Sequence, residues 1–386
     1  MQRRRAFVVV IDACGAGELP DAAEYGDSGA NTLLHVAQAV GGLALPTLGE
    51  LGLGNILALP GVPPSPAPVL HGRLHALGPG KDSSSGHWEM MGVVVAHAPP
   101  MYPDGLPPEL LTRVEATIGS PVICNRPYNG IAAIEDYGEE HLACGHPILY
   151  TSADSVVQLA AHVSLVPAEQ LYAACAALRG TLQGADAVRR VIARPFEGVP
   201  GAFERTLGRR DYTLRPPSPS YLDALGEAGV AVHGVGKAPS LFDGIGFGEV
   251  HAGATNAQAI ESLDRLIGGL EQGFVFANLI ETDQRYGHRK DTAGFHHALQ
   301  LIDTALARWL VRMGEEDLLI ITADHGCDPA SAHSDHTREH APLLALFRGH
   351  RGRRHDGPLA DVGASVLDWL DASAASLPGR SFVGDA

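Results

Sequence analysis

Leu318-Leu319-Ile320-Ile321-Thr322-Ala323-Asp324-His325-Gly326 joins an unbroken apolar run to a carboxylate and an imidazole. Four consecutive large aliphatic residues predict a strand buried on both faces, as in a parallel sheet. Open α/β sheets bind ligands at the carboxyl ends of their strands. Asp324 and His325 therefore stand where chemistry is expected. A second imidazole follows eleven residues after His325, at His336 in Asp335-His336-Thr337-Arg338-Glu339.

Two other runs end in the same way. Ala6 to Ile11 stops at Asp12, and Phe274 to Ile280 leads through Glu281 and Thr282 to Asp283, with His288 five residues on. Each run is short and rich in β-branched or aromatic residues, the pattern of a strand. One such aspartate could simply cap a following helix. Three strand ends carrying three aspartates, with three histidines close behind, favour a metal-binding group. Asp12, Asp283, His288, Asp324, His325 and His336 supply enough oxygen and nitrogen donors for two divalent ions. A carboxylate and imidazole set without thiolate suits zinc, manganese or iron better than magnesium.

The fourth element is Gly80-Lys81-Asp82-Ser83-Ser84-Ser85-Gly86-His87-Trp88-Glu89. Its composition is that of a flexible turn. Beside a metal pair, however, a hydroxyl is activated without a dedicated base, because the cations lower its pKa and neutralise an incoming phosphoryl group. The combination predicts a metal-activated serine nucleophile.

With these residues in place, the chain resembles the phosphopentomutase family of the alkaline phosphatase superfamily. The resemblance runs through IDACGAGELPDAAEYGDSGANTLLH, LGLGNI, GKDSSSGHWEMMG, PILYTSADSVVQLAAH, VIARPFEGVPGAFERT, GVGKAPSLFDG, YGHRKD, TADHGCDP and SDHTREHAPLL. It implies an α/β fold, with an alkaline phosphatase-like core built on a mostly parallel sheet and an inserted α+β cap. It also implies exchange of phosphate between positions 1 and 5 of ribose or deoxyribose, through a phosphorylated enzyme and a pentose bisphosphate. The family's nucleophile is the threonine after Lys-Asp, which falls on Ser83; Ser84 and Ser85 remain alternatives. By the same resemblance Asp12, Asp324 and His325 hold one ion and Asp283, His288 and His336 the other. Arg190, Arg205 and Lys237 would gather the distal phosphate, and Ser152 and Asp154 would approach the ribose hydroxyls. Two manganese ions, or other divalent metals, are the implied cofactors, with glucose 1,6-bisphosphate or a similar bisphosphate as activator.

Some positions depart from the family pattern. Asn129-Gly130-Ile131-Ala132-Ala133 stands where serine, glycine, threonine and glutamate are expected, so polar side chains become apolar. Cys327 replaces a common asparagine and places a soft thiol near the expected metals.

The formal charge of −16 argues against nucleic acid or an anionic membrane as partner. The 386 residues, 45% hydrophobic and 19% charged, are enough for a large core and a second domain. Five cysteines at irregular spacing fit reduced thiols rather than a disulfide framework. Arg3-Arg4-Arg5 before Ala6 to Ile11 imitates a secretory leader, but the apolar run is too short for one. A cytoplasmic, unprocessed enzyme acting on small pentose phosphates is expected, with the oligomeric state open and a monomer included. Ala98 to Pro103 and Leu214 to Pro219 look like paired proline hinges. They predict a discontinuous catalytic core over 1–98 and 216–386, with a cap over 99–215. Spaced apolar residues from Leu299 to Met313 predict a helix over Phe295 to Met313, and Pro60 to Pro68 a surface loop. Within the superfamily, a phosphatase or a phosphoglycerate mutase would share the same ligands; a protein binding metal only for stability is the alternative outside enzymes.

Overall fold

The computed structural model describes residues 4–152, 155–217, 219–348, 351–373 and 376–384. Two compact units emerge, one of Met1–Ala96 with Pro216–Ala386 and one of His97–Arg215. In chain order the strands are β1 (Arg5–Ile11), β2 (Leu70–His75), β3 (Ile123–Pro127), β4 (Ile148–Ser152), β5 (Val156–His162), β6 (Arg190–Val199), β7 (Ala202–Arg205), β8 (Arg210–Thr213), β9 (Val232–Val235), β10 (Glu249–His251), β11 (Gly273–Leu279), β12 (Asp317–Thr322), β13 (Ala341–Leu346) and β14 (Gly357–Pro358).

The first unit is built on one eight-stranded sheet in the order β10-β9-β11-β1-β12-β13-β2-β14. β1 lies parallel to both β11 and β12, while β13 runs antiparallel to β12 and β2. The apolar runs explain the centre: β1 from Ala6, and all of β11 and β12, are buried. Strands covered on both faces need no polar alternation, which is why the sequence shows unbroken hydrophobic stretches. The register aligns Val10 with both Asn278 and Thr322. These three strands therefore end level, and Asp12, Asp283 and Asp324 follow at their common carboxyl end.

The helix expected from Phe295 spans Thr292–Arg312. Its start is set by Asp291, whose carboxylate accepts a hydrogen bond from Gly294 N at 2.9 Å, a cap that apolar spacing alone does not reveal. Phe295, Leu299, Ile302, Leu306 and Trp309 form its buried stripe. Met313 lies just past the helix, in extended conformation.

In the second unit the sheet runs β3-β4-β5-β6-β7, with β8 also paired to β6. Alternation decides which face each side chain takes. Val157, Leu159 and Ala161 pack with the helices Pro108–Ile118 and Ala168–Thr181, while Ile148, Tyr150, Ala160 and Phe196 pack with the helix Gly130–Cys144. No helix among the described residues is long and apolar enough to cross a membrane.

The amino end of the first sheet is tied by Arg5, whose guanidinium donates to both Asp317 oxygens at 2.7 and 2.6 Å and to the Ile267 and Leu270 carbonyls. Removing it would leave the buried Asp317 carboxylate unpaired, so Arg5→Ala is expected to lower unfolding stability by about 3 kcal/mol. Denaturant titration of the two proteins measures this, and a change below about 0.5 kcal/mol, the scale of an exposed ion pair, would show that water replaces the guanidinium.

Candidate active site

The three strand-end aspartates do not cap helices. Asp12 and Asp324 lead into loops, and Asp283 lies inside a π-helical turn, Thr282–Tyr286. Turns of this kind re-aim side chains and recur at functional sites. Asp12, Asp324 and His325 form a fully buried group whose ligand atoms lie within 4.8 Å of one another; Asp283, His325 and His336 form another, with His336 only partly buried. His288 Nε2 is 3.4 Å and His336 Nε2 3.3 Å from Asp283 Oδ1. The structure thus assembles all six residues expected to hold metal, with His325 between the two sets.

The histidines are oriented from behind. His288 Nδ1 lies 2.7 Å from the Ser334 carbonyl and His325 Nδ1 3.1 Å from the Gly326 carbonyl. A ring that donates from Nδ1 to a carbonyl presents an unprotonated Nε2 on its other side, the usual support of a metal-binding imidazole.

Electrostatics show what such a group lacks. Burial, reinforced by the charges of Asp324 and Asp283, pushes Asp12 far up, while Lys237 pulls against it. Burial also opposes the charge on Asp324, but His325, His87 and Lys237 outweigh it and hold that carboxyl low. His325 is pushed down to about 4, by burial first. Asp12 Oδ1, Asp283 Oδ1, Asp324 Oδ2 and His336 Nε2 have no hydrogen-bond partner among the described residues. Buried polar atoms are rarely left so, and a cluster of them on carboxylate and imidazole fits bound cations.

Ser83 opens the helix Ser83–Met90, capped by Asp82, which accepts from Ser85 N at 3.1 Å and from Ser85 Oγ at 2.7 Å. Ser85 is thereby turned to its own cap. Ser83 Oγ instead lies 3.1 Å from His325 Nε2 and accepts from Lys237 Nζ at 2.6 Å. Lys237 also pairs with Asp12; burial opposes its charge, yet Asp12, Asp324 and Asp283 raise its pKa. Lys237 thus stands at Ser83, in the first unit, whereas Arg190 and Arg205 belong to the second.

Within that second unit, Ser152 and Arg190 both pair with Val156 and share one row across the sheet. Arg205 pairs with Phe196, six positions farther along β6, or about 20 Å of strand. Strand pairing thus sets the two backbones apart, while the Arg205 guanidinium reaches back toward the Tyr150 hydroxyl. Arg205 lies beside Tyr150 and Gly130, where an added Cβ would collide with both side chains. Burial pushes the Tyr150 phenol up, with Arg194, Arg205 and Arg209 acting against it; Arg194 and Arg209 were not singled out in the sequence. Asp154 lies outside the described residues. Ile131 is exposed, next to the Asn129 cap of its helix. Cys327 is buried, and its thiol completes a group with Asp283 and His288.

Three supporting residues escaped the sequence reading. Asp27, fully buried, binds Lys81 Nζ, His333 Nε2 and Arg338 N, each at 2.8 Å. Glu339 accepts from Thr32 N and Oγ1 at 2.9 and 2.6 Å, and from Thr337 Oγ1 at 2.7 Å. His87 Nδ1 lies 2.8 Å from the Ser83 carbonyl and 3.3 Å from Asp324 Oδ2. Each is meaningful only through partners far away in sequence; the one local signal was that all three fall inside the quoted motifs.

The family model of the Metalloenzyme superfamily matches residues 4–374 of this chain. A phosphopentomutase of Anaeromyxobacter dehalogenans (strain 2CP-C) is 46% identical over 387 residues, covering 99% of this chain and 98% of that protein. One from Deinococcus radiodurans is 46% identical, covering 97% of this chain and 98% of its own. Among solved structures, the PH0037 protein from Pyrococcus horikoshii aligns with a TM-score of 0.51 at 14% identity, covering 97% of this chain and 99% of that one, a likeness of fold. The α/β class built on a mostly parallel sheet, expected from the sequence, holds.

The helix of Ser83 packs so tightly on the strand end of β12 that a Cβ at Gly86 would collide with the Asp324 backbone. Gly86→Ala should push Ser83 off the ligand group and cost roughly a hundredfold in activity, the scale of an ångström of misplacement. Steady-state rates, with circular dichroism to show that the fold remains, measure this; unchanged rates would mean that the helix position is not critical.

Proposed function

The chain belongs to the phosphopentomutase family, whose members are metal-dependent isomerases, and on that premise we propose that it interconverts ribose or deoxyribose 1-phosphate and 5-phosphate through a phosphorylated Ser83. The observation that carries this reading is the meeting of Ser83 Oγ with Lys237 Nζ and His325 Nε2 beside the buried carboxylates. One hydroxyl, one cation and a ligand group at a helix N-terminus are the parts that phosphoryl transfer requires.

Asp12, Asp324 and His325 would hold one divalent ion, and Asp283, His288 and His336 the other, manganese being the proposed metal. When bound, the ions would supply charge neutralisation for the phosphoryl oxygens and acidity for the Ser83 hydroxyl. The chain's own part is positioning. Asp82 fixes the helix start so that Ser83 faces the ligand group, and Lys237 donates to the oxygen that bears the phosphoryl group. In the first transfer the bond from Ser83 Oγ to phosphorus breaks and the free hydroxyl of a pentose monophosphate takes the phosphoryl group. The resulting bisphosphate, presented in the other orientation, returns its second phosphoryl group to Ser83. Lys237 is thereby assigned to the transferred phosphate, while Arg190 and Arg205 are assigned to the distal one and Ser152 and Asp154 to the sugar. Glucose 1,6-bisphosphate or a like bisphosphate would phosphorylate the resting enzyme.

The test is incubation of purified, manganese-loaded protein with ribose 1-phosphate and a catalytic amount of bisphosphate, following both sugar phosphates and free phosphate. Isomerisation without phosphate release is expected; stoichiometric release of phosphate would make the protein a phosphatase instead. Chelation should abolish the reaction and manganese restore it. Ser83→Ala should eliminate turnover while metal content stays near two ions per chain, and Ser83→Thr should remain active. Phosphate found by mass spectrometry on Ser84 or Ser85, with Ser83→Ala still active, would overturn the nucleophile.

Arg205→Ala should raise KM for ribose 5-phosphate by roughly ten- to a hundredfold, the equivalent of losing a charge-assisted hydrogen bond. Cleavage of a small aryl phosphate, which has no distal phosphate, should change little. Equal damage to both reactions would assign Arg205 to the fold.

A further inference from the structure

We propose that His233, Glu249 and His251 form a third cation site, suited to zinc or a similar transition ion, at the edge of the large sheet and apart from Ser83. The strand pairing builds it. β9 and β10 are parallel, with His233 opposite Glu249 and Val235 opposite His251. Glu249 and His251 are two residues apart, so alternation turns both to one face of the sheet.

Three donor atoms, one from each residue, form a nearly regular triangle. His233 Nδ1 is 3.1 Å from His251 Nε2, and Glu249 Oε2 is 3.6 Å from the first nitrogen and 3.8 Å from the second. The point equidistant from all three lies about 2.0 Å from each, which is the length of a zinc bond to imidazole nitrogen or carboxylate oxygen. Adjacent ligands of a tetrahedral zinc ion stand about 3.3 Å apart, close to the sides of this triangle. A hydrogen bond between the imidazoles accounts for the shortest side and ion pairing for the approach of Glu249; a shared cation accounts for all three with one ion.

The donor set selects the ion. Two imidazoles and one carboxylate suit zinc and its neighbours better than magnesium. His233 is only 8% exposed, but Glu249 is largely exposed, which leaves a fourth position open to water. An ion here would pin β10, the three-residue edge strand, to β9. β9 leads directly to Lys237, two residues past its end, so the same clasp would steady the strand that delivers Lys237 to Ser83.

The experiment counts metal in the folded full-length chain, loaded with excess zinc, freed of unbound ion by gel filtration and analysed by mass spectrometry. The wild-type protein should retain one zinc ion more than His251→Ala and one more than Glu249→Gln, both changes at partly exposed side chains of the edge strand. Ser83→Ala should match wild type, so the result stands whether or not Ser83 is the nucleophile. Zinc should also raise the melting temperature of wild type more than that of His251→Ala. Equal zinc content in wild type and both variants would overturn the proposal, leaving the triad an imidazole hydrogen bond beside a glutamate.

Discussion

Three carboxylates brought to one end of adjacent parallel strands are the constraint on which the rest of this structure depends. β11, β1 and β12 pair in register and end level, so Asp283, Asp12 and Asp324 cannot avoid one another. Burying like charges is costly unless cations or hydrogen bonds compensate. Asp12 shows the strain most plainly, pushed upward by burial and by its two acidic neighbours. Lys237, His325, His336 and His87 all converge on this spot. Their convergence follows from the charge, and the parallel pairing of apolar strands fixes where the charge lies.

The loops that complete the site have little regular structure, so polar networks hold them. Asp27 joins the loop bearing Lys81 to the segment from His333 to Arg338. Glu339 joins that segment to the helix beginning at Thr32, and Arg338 reaches back to the Gly80 carbonyl at 2.7 Å. Carboxylates serve this purpose because each accepts several hydrogen bonds at once. Burial pushes the Glu339 carboxyl upward, and four donated hydrogen bonds oppose it. Such a network is stable only when complete, which keeps His336 and Ser83 in fixed relation although they lie far apart in sequence.

Much of this was legible in the chain. Apolar runs ending in aspartate mark β1, β11 and β12 because burial on both faces removes the polar alternation that blurs other strands. The expected nucleophile was legible to within three serines; the Asp82 cap turns Ser85 away, while Lys237 and His325 meet the Ser83 hydroxyl. Asp27, Glu339 and His87 were illegible because a buried hydrogen-bonded side chain leaves no periodic trace, and its partners lie up to hundreds of residues away. Lys237 was legible as a cation through the family resemblance, but its position against Ser83 depends on where β9 ends. Arg194 and Arg209 went unmarked for a similar reason: arginines on strands and loops read as solvated charge until Tyr150 brings them together.

The acidic surface and the proposed anionic substrate are reconciled by the order of events at this strand end. Three carboxylates face one lysine, the His325 imidazole, which burial pushes down, and the His336 imidazole, whose charge burial opposes but Asp283 favours, so carboxylates outnumber the cationic groups and the group favours cations over phosphate. The formal charge of −16 works in the same direction at long range, drawing divalent cations and repelling sugar phosphates. Screening confines that long-range effect to about 8 Å at physiological salt, whereas charges within the buried group are screened far less. Two bound dications would reverse the local potential. The same carboxylates that repel phosphate would then, through the ions they hold, favour it, with Lys237 at Ser83 Oγ. On the proposed function, metal binding would therefore precede substrate binding, an order that burial of like charges alone would impose.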